Sequence, residues 1–211
     1  MPSSYYFSSF GSACCRQAIR KLFVSTGYQI KDQSALYFLT FQVVQWADIF
    51  TRKIYRDIII DSFKYCSNQK GLEIYAYVIM SNHVHLLARS TKEDLSGTIR
   101  DFKRHTSNRI LEAVQTSEES RRDWLLLIFR YAARKHSRNE KFQVWTHENH
   151  AEEIFSNKFI EQKIEYIHNN PVRAGFVENP EDYLYSSARC YVGLDAVFET
   201  ELAVLRWKTV R

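Results

Sequence analysis

The strongest constraint on the fold is a pair of predicted β-strands, residues 73–80 and 83–89, separated only by Ser81 and Asn82. Both segments are rich in β-branched and aromatic residues, which favour strands. Such a short connection is typical of a β-hairpin, although Ser-Asn is a weaker turn signal than Asn-Gly. We therefore expect these two strands to pair side by side in one sheet.

The elements predicted around this hairpin indicate the fold class. Further strands are predicted over residues 35–46 and 142–147, and helices over residues 48–69, 95–114, 118–136 and 158–169. The last helix must end near Asn170, because Pro171 follows it. This order is compatible with an α+β, ferredoxin-like fold. We expect an antiparallel sheet with helices on one face, plus an added helical segment.

Length and composition are those of a globular domain with extensions. The chain has 211 residues, of which 45% are hydrophobic and 25% charged, and this excludes a disordered chain. The longest apolar runs, such as residues 125–129, are far shorter than the ~20 residues that span a bilayer. The four cysteines contain no Cys-x-x-Cys pair. We therefore predict reduced thiols in a cytoplasmic protein that has no membrane partner.

The positive charge is concentrated in one part of the chain. Residues 98–141 contain eleven Lys or Arg and six Asp or Glu, a surplus of five that equals the net charge of +5. A basic segment in a chain with many aromatic residues suits a nucleic-acid groove. The same pattern also fits a solvated helix face, and composition alone does not separate the two.

His83 and His85 occupy alternate positions of the second hairpin strand. Side chains at positions i and i+2 of a strand lie on the same face, so the two imidazoles are neighbours, and Val84 and Leu86 point to the other face. Two adjacent imidazoles can bind a divalent metal. Two hydrogen-bonded histidines on a half-buried strand would show the same pattern.

Tyr166 and Asn170 are four residues apart in the last predicted helix. That spacing places them on one helix face, one turn from each other. A phenol there can act as a nucleophile, and an amide oxygen can complete a metal site. From the residues alone we favour the plainer explanation, a core aromatic followed by a helix-terminating asparagine, because the chain has thirteen tyrosines.

A second candidate metal cluster is formed by His147, Glu148 and His150. These residues directly follow the predicted strand over residues 142–147. We favour a role at the end of that strand over one in metal binding.

Taken together, these motifs resemble those of a known family. The run of residues 77–87, with His83 and His85, is similar to the metal motif of HUH single-strand DNA transposases. Residues 166–177 and 180–187 resemble the REP-associated tyrosine transposase branch of that family. The resemblance covers roughly residues 35–192, which leaves an N-terminal extension over residues 1–34 and a C-terminal tail over residues 193–211.

The resemblance implies a ferredoxin-like HUH endonuclease domain with a tyrosine nucleophile. By matching position, Tyr166 would be the nucleophile, and His83, His85 and Asn170 would bind Mg²⁺ or Mn²⁺. The enzyme would cleave and rejoin single-stranded DNA through a 5′-phosphotyrosine intermediate. His168 is a poor candidate for the general base, because it should lie on another helix face.

The partner implied is single-stranded DNA with hairpin structure, such as palindromic repeats, in the cytoplasm and at the nucleoid. We expect the DNA contacts to come from hydroxyl and cationic side chains: Arg100, Lys103, Arg104, Thr106, Arg109 and Arg173. A monomer and a homodimer both remain open.

Three other functions share these residues. The domain could bind hairpin DNA or RNA without cleaving it. It could be a metal-dependent phosphodiesterase that uses water as its nucleophile. A replication or conjugation relaxase would share the chemistry, but such proteins usually carry larger accessory domains than 211 residues permit.

Overall fold

A four-stranded antiparallel sheet forms the centre of the computed structural model, which describes residues 29–135 and 141–203. The strands are β1 (Tyr37–Gln42), β2 (Leu72–Ile79), β3 (His83–Ser90) and β4 (Glu152–Glu153), in the order β2-β3-β1-β4. The predicted hairpin is confirmed as β2 and β3, and the backbone N–H of Met80 donates to the carbonyl of His83 (2.8 Å) across its turn.

Six α-helices accompany this sheet in the described residues: α1 (Lys53–Lys70), α2 (Leu95–Thr116), α3 (Arg122–Arg134), α4 (Asn157–His168), α5 (Asn170–Arg173) and α6 (Ala188–Tyr191). Their ends follow ordinary capping chemistry. The Asp94 side chain accepts a bond from the backbone N–H of Gly97 (3.0 Å) at the start of α2. Gly71 ends α1 with a positive φ of 69°, which glycine adopts without a steric penalty. The predicted α+β class is confirmed.

The two faces of the sheet are covered differently. Val84 and Leu86 of β3 belong to the large core cluster that includes residues of α1, α2 and α3. On the opposite face, Leu87 and Phe38 pack with Ile164 and Ile167 of α4. The expected helix layer is therefore formed by α1–α3, while α4, which carries Tyr166, crosses the other face.

The predicted strand over residues 142–147 is wrong. This segment makes only a single bridge, between Val43 and Trp145. The ladder cannot continue, because β1 ends at Gln42 and the chain then turns through a 3₁₀-helix, Val44–Trp46. Trp145 is buried instead, and its indole N–H donates to Thr106 Oγ1 (2.9 Å). The fourth strand is the short β4.

Pro171 marks the end of α4 as expected. The helix ends at His168, and α5 begins at Asn170 with Pro171 in its first turn. The missing N–H of proline costs nothing at that position, so the chain restarts a helix directly after the break.

Residues 193–203 of the predicted tail pack against the domain. The ring of Phe198 lies 5.9 Å from that of Phe63 between centroids, and the backbone N–H of Glu201 donates to the carbonyl of Ile74 (2.9 Å). Cys66 and Cys190 are free thiols, whereas Cys14 and Cys15 lie outside the described residues. Within residues 29–135 and 141–203, no helix has the length and apolar character needed to cross a membrane.

Candidate active site

His83 and His85 lie side by side on the face of β3 that α4 crosses. Their ring centroids are 4.7 Å apart, with 70° between the ring planes. The alternation that places them together also buries Val84 in the helix-covered core, as predicted. The pair stands on the central part of the sheet, because β3 is hydrogen-bonded to β2 on one side and to β1 on the other.

Both imidazoles are held through the same ring nitrogen. Nδ1 of His85 lies 2.9 Å from Thr40 Oγ1, and Nδ1 of His83 lies 2.8 Å from Asn82 Oδ1. Thr40 is the cross-strand partner of His85 on β1. Because an amide oxygen only accepts, His83 Nδ1 donates to Asn82, and its Nε2 carries a lone pair. The Nε2 atoms are therefore the nitrogens left to bind a ligand.

Burial keeps the pair neutral. Loss of hydration lowers the pKa of His85 to about 3, with smaller contributions from His83 and from Lys163. Burial also lowers the pKa of His83. Both rings are therefore uncharged at neutral pH, and neutral imidazole is the form that binds metals.

Tyr166 is brought to the histidines by α4. Its ring centroid lies 5.2 Å from that of His85 and 5.8 Å from that of Phe38. The side chain is 36% exposed, so the phenol is accessible from solvent. The guanidinium carbon of Arg173, on α5, lies 5.3 Å from the centre of the Tyr166 ring. A guanidinium at that distance makes a cation–π contact with the phenol ring, which helps to fix the position of the ring.

Three residues around the site, Phe38, Thr40 and Lys163, carried no signal in the sequence analysis. Phe38 stacks on His85 with 5.3 Å between ring centroids. Lys163 Nζ lies 4.3 Å from the centre of the Phe38 ring and pairs with Glu152 Oε2 (2.5 Å). This pairing ties α4 to β4. Only the register of β1 against β3 reveals Phe38 and Thr40, and the sequence does not contain that register.

The residues fit a divalent ion in part. Two neutral imidazoles with free Nε2 atoms are a suitable pair of donors. Within the described part of the chain, however, no group of three or more His, Cys, Asp or Glu residues could bind a metal. A metal would therefore need further oxygen ligands. Asn170, one turn beyond Tyr166 at the start of α5, is the predicted source of one, and water or DNA phosphate would supply the others.

The basic residues of α2 lie on the other side of the sheet from this site. The inner residues of α2 belong to the core cluster of the helix-covered face. Arg100 and Arg104 are exposed and both pair with Asp101, while Arg109 pairs with Glu112 (2.8 Å). Of the six residues expected to contact DNA, the structure places only Arg173 beside Tyr166.

Two of these α2 residues, Lys103 and Thr106, make hydrogen bonds within the protein. Thr106 is fully buried; its hydroxyl donates to the carbonyl of Phe102 (2.8 Å) and accepts from Trp145. Lys103 Nζ donates to the carbonyl of Thr146 (2.7 Å), and burial lowers its pKa to about 8. The Thr106 hydroxyl is therefore unavailable to a phosphate, because both of its contacts lie inside the core.

The remaining histidine candidates lie apart from Tyr166. His168 is buried, and its Nε2 lies 2.9 Å from Ser187 Oγ, so it faces away from the phenol as expected. His150 Nε2 lies 3.6 Å from Glu148 Oε2 at the surface. Within the part of the chain that the structure describes, no third His, Cys, Asp or Glu joins His150 and Glu148 to form a metal site.

The fold and this face together define an α+β protein that presents a histidine pair and a tyrosine on one side of an antiparallel sheet. The family model described as "Transposase IS200 like" matches residues 33–170. The chain therefore belongs to the IS200-like transposase family.

Among the solved structures that this chain resembles, one carries a description of its bound DNA. It is a REP-associated tyrosine transposase bound to a REP hairpin, and it matches with a TM-score of 0.52 at 16% identity, covering 87% of this chain and 98% of that one. A search of curated proteins gave no match.

Proposed function

We propose that this chain is a metal-dependent transposase that cleaves and rejoins single-stranded, hairpin-containing DNA with Tyr166 as its nucleophile. The observation that carries the proposal is the contact between Tyr166 and His85, 5.2 Å apart between ring centroids. A phenol beside two ligand-ready imidazoles is the arrangement that attack on a bound phosphate requires.

The proposed reaction exchanges one phosphodiester bond for another at Tyr166. Tyr166 Oη attacks the phosphorus of the scissile phosphodiester, and the bond to the 3′ oxygen breaks. The phenol loses its proton, and the departing strand becomes a 3′-hydroxyl. Joining is the reverse: a 3′-hydroxyl attacks the phosphotyrosine and releases Tyr166. One phosphodiester replaces another in each step, so no nucleotide cofactor is needed.

Arg173 is the residue that positions the nucleophile. Its guanidinium carbon lies 5.3 Å from the centre of the Tyr166 ring, a cation–π contact that holds the ring beside the histidine pair. His168 does not serve as the base, because its Nε2 faces Ser187. Mg²⁺ or Mn²⁺, bound by His83, His85 and Asn170, would withdraw negative charge from the scissile phosphate and orient it.

The proposed site needs only one copy of the chain. The histidine pair on β3 and Tyr166 on α4 meet within a single molecule. A monomer therefore holds every residue that the proposed reaction uses. The hairpin substrate is proposed because the similar solved structure is a transposase bound to a REP hairpin.

A covalent trapping assay tests the proposal. Full-length protein is mixed with hairpin oligonucleotides from the flanks of its own gene, with Mn²⁺, Mg²⁺ or EDTA, and denaturing gels detect protein-linked DNA. We expect an adduct that requires metal and is lost in Tyr166→Phe. Tyr131→Phe, a change to an exposed tyrosine on α3, is the matched control and should form the adduct normally.

Two other results would each replace the proposal. Cleavage without an adduct, retained in Tyr166→Phe, would identify a nuclease that uses water. Tight hairpin binding with no cleavage under any metal condition would identify a binding protein.

A further inference from the structure

Trp46 is an exposed aromatic residue on an unusual backbone. Its side chain is 63% exposed, and both Gln45 and Trp46 have positive φ angles, 55° and 54°. Non-glycine residues rarely adopt this conformation, which is strained and persists where the surroundings enforce it. The strain here presents a large ring to solvent instead of burying it.

This segment is connected directly to the histidine pair. The Asn82 side chain donates from Nδ2 to the carbonyl of Trp46 (3.4 Å) and to Asp48 Oδ1 (3.2 Å). Its Oδ1 accepts from His83 Nδ1 (2.8 Å). One amide thus fixes both the orientation of His83 and the backbone of Trp46, so the indole lies at the His83 end of the sheet.

A groove begins at the same place. It has a volume of about 320 Å³, and its lining combines the amide and charged side chains of Gln42, Gln45, Lys135 and Glu148 with apolar Val44 and Ala132. Gln42 is the cross-strand partner of His83 on β1. Amide side chains suit the hydrogen-bonding edges of bases, and a lysine suits a phosphate, whereas the Glu148 carboxylate would repel one. A chain of nucleotides leaving the histidine pair would therefore find amides for its bases and Lys135 for a phosphate in this groove.

We propose that Trp46 is a stacking platform for one unpaired base of the DNA strand beside the scissile phosphate, with the next nucleotide in this groove. The inference rests on the proposed function for the identity of the strand. Stacking on a tryptophan accepts any base, because every base has a π-face. The amide and lysine groups of the groove, together with its link to His83 through Gln42, favour a nucleotide as the occupant.

A binding experiment with abasic oligonucleotides tests this site. Anisotropy is measured in EDTA, where metal-dependent cleavage is absent, on hairpin oligonucleotides that lack one base at each position of their single-stranded flanks. For wild-type protein, we expect one position at which base removal weakens binding between about 5- and 150-fold, the range for one base–aromatic stack. Trp46→Ala should lose the same factor on the intact strand and become insensitive to that position, whereas Trp46→Phe should retain most of the affinity.

Trp124→Ala, which removes an exposed tryptophan of α3, is the matched control and should bind like the wild type. The proposal is overturned if Trp46→Ala binds the intact strand normally, if its sensitivity to every abasic position is unchanged, or if the wild type binds no single-stranded flank. Adduct formation by Tyr166 is scored separately. If the adduct forms but Trp46→Ala does not change binding as expected, only this inference is contradicted. If Trp46→Ala changes binding as expected but no adduct forms, only the assignment of Tyr166 as the nucleophile is contradicted.

Discussion

The two faces of the sheet use aromatic rings in different ways. On the helix-covered face, Phe102 contacts other phenylalanines: its ring stacks on Phe63 at 5.4 Å and lies 5.5 Å from Phe41. On the opposite face, Phe38 contacts the functional side chains, His85 at 5.3 Å and Tyr166 at 5.8 Å. The first face contributes mainly to stability, whereas the second positions reactive groups.

The concentration of positive charge along the sequence does not coincide with the proposed site. Three arginines of α2, Arg100, Arg104 and Arg109, are exposed and pair with Asp101 or Glu112 on the same helix. The site itself has one cation over its tyrosine, Arg173. Changes on the two faces should therefore have separable effects on stability and on reaction.

The largest effect should come from a ring on the helix-covered face. We expect Phe102→Ala to lower the free energy of unfolding by about 3–5 kcal/mol, because it leaves a cavity among stacked rings. Urea unfolding measures this loss, and Phe102→Leu should lose less. Phe38→Leu, on the opposite face, should slow adduct formation with a smaller loss of stability. A larger loss of unfolding free energy in Phe38→Leu than in Phe102→Ala would contradict this contrast between the faces.

His85→Ala should lower the rate of adduct formation by about 10²–10³-fold, the scale for loss of one electrostatic stabiliser of a transition state. Single-turnover rates on a hairpin substrate measure it, and adding EDTA to the wild type should have an effect at least as large. His105→Ala, a change to an exposed histidine on α2 outside the site, is the control. A His85→Ala rate within twofold of the wild type would remove the histidine pair from the mechanism.

The pH dependence of stability should reveal His168, which lies on α4 but faces away from Tyr166. Burial lowers its pKa from about 6.5 to about 4. Between those values the unfolded chain binds the proton first, so the contribution of His168 to stability falls as the pH falls and levels off below about 4. We expect His168 to account for a loss on the order of 2 kcal/mol between pH 7 and 4.5 in urea titrations, in addition to the loss from His85, whose pKa burial also lowers. His168→Gln should reduce that loss, and an unchanged profile would contradict the assignment.

Thr40→Val removes the hydroxyl beside His85 Nδ1 and preserves the shape of the side chain. Loss of such a supporting hydrogen bond should reduce metal affinity or activity by about 10–100-fold. Titration of adduct formation with Mn²⁺ measures it. Thr116→Val, at the exposed end of α2, is the matched change and should leave the titration as it is. Equal curves for the two variants would show that Thr40 does not position His85.

The smallest effect is expected on α2. Arg104→Gln should change hairpin affinity by less than about threefold, because Arg104 already pairs with Asp101 and surface changes rarely exceed about 0.5 kcal/mol. Arg173→Gln should lower the rate of adduct formation by more than about tenfold. Affinity and rate are measured on the same oligonucleotide. A stronger loss of affinity in Arg104→Gln would place DNA on the helix-covered face as well.

Local periodicity predicted much of the fold and the centre of the site. Alternation along β3 placed His83 and His85 together and Val84 on the other face, and the hairpin and most helices were predicted close to their observed bounds. The strand predicted over residues 142–147 was wrong, because the apolar residues of this segment are buried without forming a ladder of strand hydrogen bonds. Phe38, Thr40 and Trp46 escaped notice because their roles depend on strand register and on backbone strain, which sequence patterns do not encode.

The most direct test of the account is to find which residue carries the DNA. Protein trapped on a hairpin oligonucleotide is digested with nuclease and trypsin, and the nucleotide-modified peptide is sequenced by mass spectrometry. Cleavage after Lys163 and Arg173 yields a peptide over residues 164–173, which contains a single tyrosine. The account predicts that the nucleotide is attached to Tyr166 in this peptide. A nucleotide on any other tyrosine, or on a serine, would contradict it.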